Sequence, residues 1–598
     1  MATPIEDLAL LSNCRTAALV SREGDVEWLC LPRLDSASVF AALLGDTDDG
    51  SWRLRPSETD AWTERRYDGD TFVLVTRWET PTGVAEVHDF MPVGSDQQAA
   101  IDRTDLVRRV VGISGTVDFD VDLRLRFDYA RALPWVRQTG SKADPELIAM
   151  AGPDAVALRG VRLHPEGHQH HGSVRVSAGQ QVDLTLTWFP SFRPTPGPLD
   201  VDRALSETRH WWQSWADRIE HQGEYRPQVV RSLLVLRALT NHDTGGIAAA
   251  ATTSLPEDIG GVRNWDYRFV WLRDAALTLE ALLAHGFLKL AEHWRTWLLR
   301  AVAGDPADLQ IMYGLAGERN LPERELPQLG GYAGSRPVRI GNGAALQYQA
   351  DVVGEVIVTL SAGREAGLTE SAFSWPLEKH LVQYAAEQFE RPDNGIWEIR
   401  GEPRHFTHSR VMMWATFDRA VRAVEQHGLA GPVERWRELR QRARDEIDSR
   451  GVSNGHFVQY YGTDEVDASL LLLPQVGYCA PDDPRMLATV QRIEQTLIRD
   501  GLVLRYRTDT GVDGLPGGEH PFLACSFWLV EQYATTGRTA DAEALMGRLS
   551  SFANDLGLLS EEYDPVGNQQ VGNFPQAFSH LALVRAADAL CGSGRQPR

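Results

Sequence analysis

The stretch "YDPVGNQQVGNFPQAFSH", residues 563–580, is a polar loop that runs into an apolar helix, and its centre is Gln569-Gln570. Neither side chain can take up a proton. Upstream, "PDNGIWEIRG" sets Glu398 between Trp397 and Arg400. A carboxyl group packed against Trp397 would lose solvation and have its pKa raised, as a general acid requires. "GGVRNWDYRFVWLRDAALTL" gathers Asp266, Tyr267, Trp271, Arg273 and Asp274 around a helix start. There Arg273 and Asp274 could fork onto the hydroxyl pairs of one sugar ring, with Trp271 or Tyr267 stacked beneath, although a tryptophan at a helix start also serves as plain core. Arg336 and Arg339, in "YAGSRPVRIGNGAA", are either ligand contacts or solvated surface. Glu519, in "PGGEHPFLACSFW", either meets a substrate or caps the helix that follows. Tyr461, Asp464, Arg505 and Arg507 complete the candidates.

These residues need elements to hold them. Residues 1–200 alternate apolar and polar positions, as in "DTFVLVTRWET" and "QQVDLTLTWF", with Gly and Pro between runs. That period predicts an antiparallel β-sandwich. A bridging helix over 201–225 carries Trp211, Trp212 and Trp215, placed to staple two domains together. From 226 to 598 the period is helical, with about twelve apolar segments. Their connections alternate. Turns such as "HGF", "QHGLAG" and "TTGR" are short, while the intervening connections are longer and carry the aromatic, arginine and acidic residues. In an antiparallel array alternate connections share an end, so the pattern predicts an all-α (α/α)6 barrel with the chemistry at one mouth.

The totals bound the ligand and the setting. At 598 residues the chain exceeds one core. Its net charge of -22 without a basic block argues against nucleic acid and for a neutral small-molecule partner. No apolar run is long enough to span a membrane, and the amino terminus has no basic n-region. The five scattered cysteines read as reduced, buried thiols, which suggests a cytoplasmic protein. No Cys/His spacing indicates a metal, and no cofactor is expected. An acidic surface is compatible with a monomer or an oligomer.

The motifs "RNWDYRFVWLRDA", "SRPVRIGNGAA", "DNGIWEIRG", "FLACSFWLVE" and "VGNFPQAFSH", with the opening "LLSNCRTAALVSREGDVEWLCLPRLDSASVFAALLG", together resemble glycoside hydrolase family 15, which includes glucoamylases and bacterial trehalases. The resemblance implies inverting, exo-acting hydrolysis of α-glucosides. One carboxylic acid then protonates the leaving oxygen and an opposed carboxylate activates water. On this alignment Glu398 matches the general acid, Arg273 and Asp274 the grip on the terminal glucose, and Tyr267 a tyrosine near the attacking water. Phe269 and His408 stand where relatives often carry tyrosine.

Aligning "QQVGNFPQ" on the family pattern puts Gln569 at the general-base position. Four readings follow: a deliberate Glu→Gln replacement that traps substrate; another base, such as Glu561, Glu562, Glu519 or Tyr267; phosphorolysis, with Arg336, Arg339, Arg505 or Arg507 holding phosphate; or a catalytically silent sugar-binding protein. Trehalose is the favoured substrate because the amino-terminal segment resembles the trehalase-like branch. Maltose, isomaltose or a short glucan is the alternative.

Overall fold

The computed structural model describes residues 2–94, 102–141, 144–304, 308–514 and 518–592. Residues 8–190 form one branched, antiparallel sheet of 15 strands. Its spine is Thr104–Arg124, a strand of 21 residues. The first half of the spine pairs with Gly83–Phe90 and Gln181–Pro190, the second half with Ser51–Pro56 and Gln169–Ser177. The strand thereby passes from one layer of the sandwich to the other. Gly112 lies at the crossing, where a Cβ would sit 2.2 Å from the Ser177 carbonyl oxygen, so only glycine admits that close approach.

Helix α1 (Val201–Ala216) leaves the sandwich. Its tryptophans join the two domains: Trp212 meets Phe72 of the sandwich edge-on, and Trp215 stacks on Phe287 of the helical domain at 4.2 Å. The helical domain follows, with α2 (Arg226–Leu239), α3 (Leu272–Ala284), α4 (Leu288–Ala301), α5 (Asp351–Glu365), α6 (Ser374–Glu387), α7 (Thr407–His427), α8 (Val433–Arg450), α9 (Pro484–Thr496), α10 (Leu523–Thr535), α11 (Thr539–Ser550) and α12 (Ala577–Leu590). Helices α3, α5, α7, α10 and α12 are buried along nearly all their length and pack side by side into an inner ring. Helices α4, α8, α9 and α11 bury one stripe and face outward with the other, the division expected of inner and outer members of a two-layer barrel. The sixth inner position is filled by a short 3-10 helix, Ala468–Leu472, between α7 and α10. Pro474, which has no N–H to continue a helix, follows one residue later.

One buried ion pair fastens the domains. Arg268 bonds Asp266 at 2.7 Å and reaches across to the Ser36 carbonyl and the Tyr129 hydroxyl of the sandwich. Asp266, expected among the sugar-binding residues, is therefore a structural partner of Arg268. The cysteine expectation needs one correction as well: Cys14, Cys30, Cys479 and Cys525 are buried free thiols, but Cys591 is exposed at the end of α12. Among the described residues no helix is long and apolar enough to cross a membrane.

Candidate active site

Where the long connections converge, a cavity opens to solvent, enclosing about 750 Å³ with its mouth. Five of the long connections contribute: Glu257 with Arg263, Trp265, Tyr267, Trp271, Arg273 and Asp274; Asn342; Ile396–Glu398 with Arg400; Arg505 with Tyr506 and Phe522; and Glu561 with Gln576 and Phe578. The connections are woven together by backbone bonds. Ala577 N–H donates to Ala249, Gly572 N–H to Pro256, and Leu523 N–H to the Glu561 carbonyl. Such ties fix loop side chains with the precision of a core.

One wall carries Glu398. Its backbone sits at φ 57°, a left-handed conformation that costs a non-glycine residue roughly 1 kcal/mol or more. The surroundings hold it there: its N–H donates to Gly395, and the Gln347 amide donates to its carbonyl at 3.1 Å. The carboxyl accepts the Trp271 indole N–H at 2.7 Å and lies 3.5 Å from Arg273. Burial raises its pKa, Asp274 adds to the rise, and Arg273 with the Trp271 bond opposes it. Burial wins, leaving a carboxyl biased towards its protonated form. The sequence assigned that bias to Trp397, but the Trp397 indole turns away and donates to Asp467 at 3.0 Å.

The floor is the Arg273–Asp274 pair at the start of α3, both buried. The guanidinium is shared: it bonds Asp274 at 3.0 Å and donates to the Ile396 carbonyl. Asp274 thus keeps one oxygen clear of that bond for a hydroxyl. Tyr267 stands edge-on to Trp271 at 5.3 Å. Arg400 lies over the Trp265 ring at 4.2 Å and pairs with Glu323 at the rim.

The opposite wall is a carboxylate cluster. Glu561 is buried and takes hydrogen bonds from Tyr267 and from the Asn573 N–H. Gly572 makes room for it: at φ 79° this residue comes so close that a Cβ would stand 2.7 Å from that of Glu561. Burial and then Glu257 push the Glu561 pKa up, against the pull of Arg505 and Tyr267. Oxygens of Glu257, Glu561 and Glu562 come within 4.8 Å of one another, a spacing that a cation could bridge. Arg505 supplies that positive charge, bonding Glu257 at 3.0 Å and lying 3.3 Å from Glu562.

Tyr267, Trp271, Arg273, Asp274, Trp397, Glu398 and Arg400, all singled out from the sequence, line this cavity. Gln569, Glu519 and Arg336 do not, and neither do Asp266, Arg339, Tyr461, Asp464 and Arg507. Gln569 opens the returning strand of a hairpin in which Glu562–Asp564 pairs with Gln569–Val571. Its amide faces Asp564 at 3.4 Å, at the far end of the hairpin, while Glu561 immediately precedes the first strand and meets the cavity. Glu519 is buried behind Arg505 and Arg263, bonding both. Arg336 is exposed and bonded to the Gly330 carbonyl. The sequence reading missed Glu257, although "SLPEDIGG" places an acidic residue in the same long connection as the Arg273–Asp274 pair.

Residues 223–588 match the profile of glycosyl hydrolases family 15, and residues 1–185 that of the trehalase-like N-terminal domain. The chain belongs to glycosyl hydrolases family 15. It is 39% identical over 610 residues to a trehalase of Mycolicibacterium smegmatis, covering 98% of this chain and 90% of that one. A trehalase of Thermoplasma volcanium is 33% identical, with 97% and 92% covered. A solved bacterial glucoamylase complexed with acarbose superposes with a TM-score of 0.73 at 12% identity over 99% of this chain and 94% of its own, which shows the shared family 15 fold. This glycoside hydrolase therefore carries the sandwich and the (α/α)6 barrel expected from its sequence.

Proposed function

We propose that the protein hydrolyses trehalose to two glucoses with inversion, using Glu398 as general acid and Glu561 as general base. The observation that carries this reading is that a half-buried glutamate, Glu398, and a buried one, Glu561, from connections far apart in the chain, face one cavity floored by Arg273 and Asp274. Substrate choice draws on the relatives that bear the name trehalase along almost the whole chain.

In the step proposed, Glu398 gives its proton to the bridging oxygen as the C1–O bond breaks. A water on the far face forms the new bond to C1 and gives its proton to Glu561. Glu561 then loses its proton to solvent and Glu398 regains one. Tyr267, hydrogen-bonded to Glu561, is placed to hold that water. Arg273 and Asp274 would bind the hydroxyls of the sugar being attacked, and Trp265 with Arg400 would border the leaving glucose. Gln569 has no part in the reaction.

The arginines considered for holding phosphate are otherwise engaged. Arg505 is surrounded by carboxylates, Arg507 pairs with Asp509, and Arg339 lies over Trp265. Four buried free thiols favour a reducing, cytoplasmic setting.

The test is proton NMR of trehalose digestion at early times. Equal initial release of β- and α-glucose, independent of added phosphate, is expected, because inversion at one centre leaves the other glucose as α. Exclusive α-glucose would contradict the inverting step, and production of a sugar phosphate would replace hydrolysis with phosphorolysis.

A further inference from the structure

We propose that Glu257 is a positioning residue for the general base: it engages Arg505 and stands against Glu561, leaving the base's carboxylate free to take a proton from water. The inference rests on the reading of Glu561 as that base. A buried carboxylate beside a buried guanidinium would ordinarily form a direct ion pair, and its basicity would drop. Here the N–H groups of Arg505 point elsewhere. Nη2 donates to Glu257 at 3.0 Å and to Glu519 at 2.6 Å, and Nε donates to Glu519 at 3.1 Å. Glu562 also lies 3.3 Å from that same Nη2. Glu561 lies within 4.8 Å of Glu257 and Glu562, yet its own hydrogen-bond donors are Tyr267 and the Asn573 backbone.

The charges around Glu561 arrive from every side of the wall. Glu257 comes from the connection after α2, Tyr267 from just before α3, and Arg505 from the connection after α9. Glu562 is its neighbour in sequence. Behind Arg505, Glu519 also bonds Arg263, which in turn holds Asp513 at 2.6 Å and stands 4.0 Å from Glu257. Glu257, Glu519, Glu562 and Asp513 thus share two guanidiniums with Glu561 beside them, so the cluster retains protons that two isolated ion pairs would not. Within it Glu257 acts on Glu561 in two ways of the same sign. It occupies the cation that would stabilise the charged base, and its own negative charge repels that of Glu561. Both hold the base's proton affinity up, as the direction of the Glu561 shift reflects.

The distinguishing measurement is the pH profile of kcat/KM for trehalose in the wild type, Glu257→Gln, Glu257→Asp and Glu561→Gln, with thermal melts of each. Removing the charge at 257 should move the acid limb of Glu257→Gln to lower pH by about one unit. The plateau kcat should fall because the base is weaker, with KM within a few fold and the limb returned towards wild type in Glu257→Asp. If Glu257→Gln loses activity or stability but the acid limb stays within 0.2 unit (about the precision of such profiles), Glu257 is only structural and the proposal is wrong. If Glu561→Gln retains most of the wild-type kcat, the base assignment itself fails and this inference falls with it. An inactive Glu561→Gln beside an unmoved Glu257→Gln limb removes the positioning role alone. Should Glu257→Gln prove too unstable to assay, Glu257→Ser, which also removes the charge, carries the test: an acid limb unmoved from wild type together with a lowered kcat would overturn the proposal.

Discussion

On both walls of the cavity burial is the main cause that raises a glutamate's pKa, but the neighbours differ. On one side Glu398 is half-buried beside a single cation, takes one strong hydrogen bond from Trp271, and owes its shift chiefly to lost solvation. On the other, Glu561 is buried in a group of carboxylates that compete for Arg505, so like charges add to the burial. An acid must hold a proton before the reaction and a base must hold one after it. Desolvation suits the first, since it favours the neutral form, with Asp274 adding to it. The second is served by a cluster able to share the proton it has received. The comparison teaches that similar directions of shift can serve opposite roles when the neighbours differ.

The largest effect expected is at the acid. Glu398→Gln should lower trehalose turnover by about 10³- to 10⁴-fold, but hydrolysis of α-glucosyl fluoride, whose leaving group needs no proton, should survive far better. Equal losses on both substrates would remove Glu398 from the acid's role and erase the difference between the walls.

The next effect is on stability and belongs to the base wall. Arg505→Met leaves Glu257, Glu519 and Glu562 without their shared cation, which should cost about 3–5 kcal/mol. The sign of its pH dependence follows from the direction of the shifts. Carboxyls whose folded pKa is raised further bind more protons folded than unfolded, so stability falls as pH rises from the unfolded carboxylate pKa towards the folded value. The variant's deficit in denaturant titrations should therefore be larger at pH 8 than at pH 5; a deficit unchanged with pH would mean that the cluster's charges are not what Arg505 holds in check.

The smallest effect sharpens the acid wall. Trp271→Phe removes a hydrogen bond that favours the charged form of Glu398. The pKa of the acid should rise, and the alkaline limb of kcat/KM should move up by less than about one unit. A limb that moves down would show that Trp271 acts through burial rather than through its N–H.

Much of this was legible in the sequence, for physical reasons. The alternation of short and long connections reported the barrel because antiparallel neighbours must put alternate loops on one end. Arg273, Asp274 and Glu398 were legible because their apolar and aromatic neighbours leave few other uses for charge in a loop. Gln569 was expected at the cavity and lies away from it, because a hairpin brings two stretches of similar composition together. Sequence spacing gave no account of which strand of Glu562–Asp564 and Gln569–Val571 leads into the cavity, and "SEEYD" lies on the first. Glu257 and Glu519 were illegible as a cluster because their meaning comes from Arg505, roughly 250 residues from the former, and only the fold joins them (505 − 257 = 248). The eighth helical segment read as a full helix from its leucines; Pro474 shortens it to a 3-10 turn.

The most direct test of the account is the rate of glucose release from trehalose by Glu561→Gln and Gln569→Ala, measured side by side with the wild type. The account predicts a loss of about 10²- to 10⁴-fold for Glu561→Gln and a change within a few fold for Gln569→Ala. The reverse pattern, with Glu561→Gln active and Gln569→Ala inactive, would contradict it and return the reaction to the hairpin's second strand.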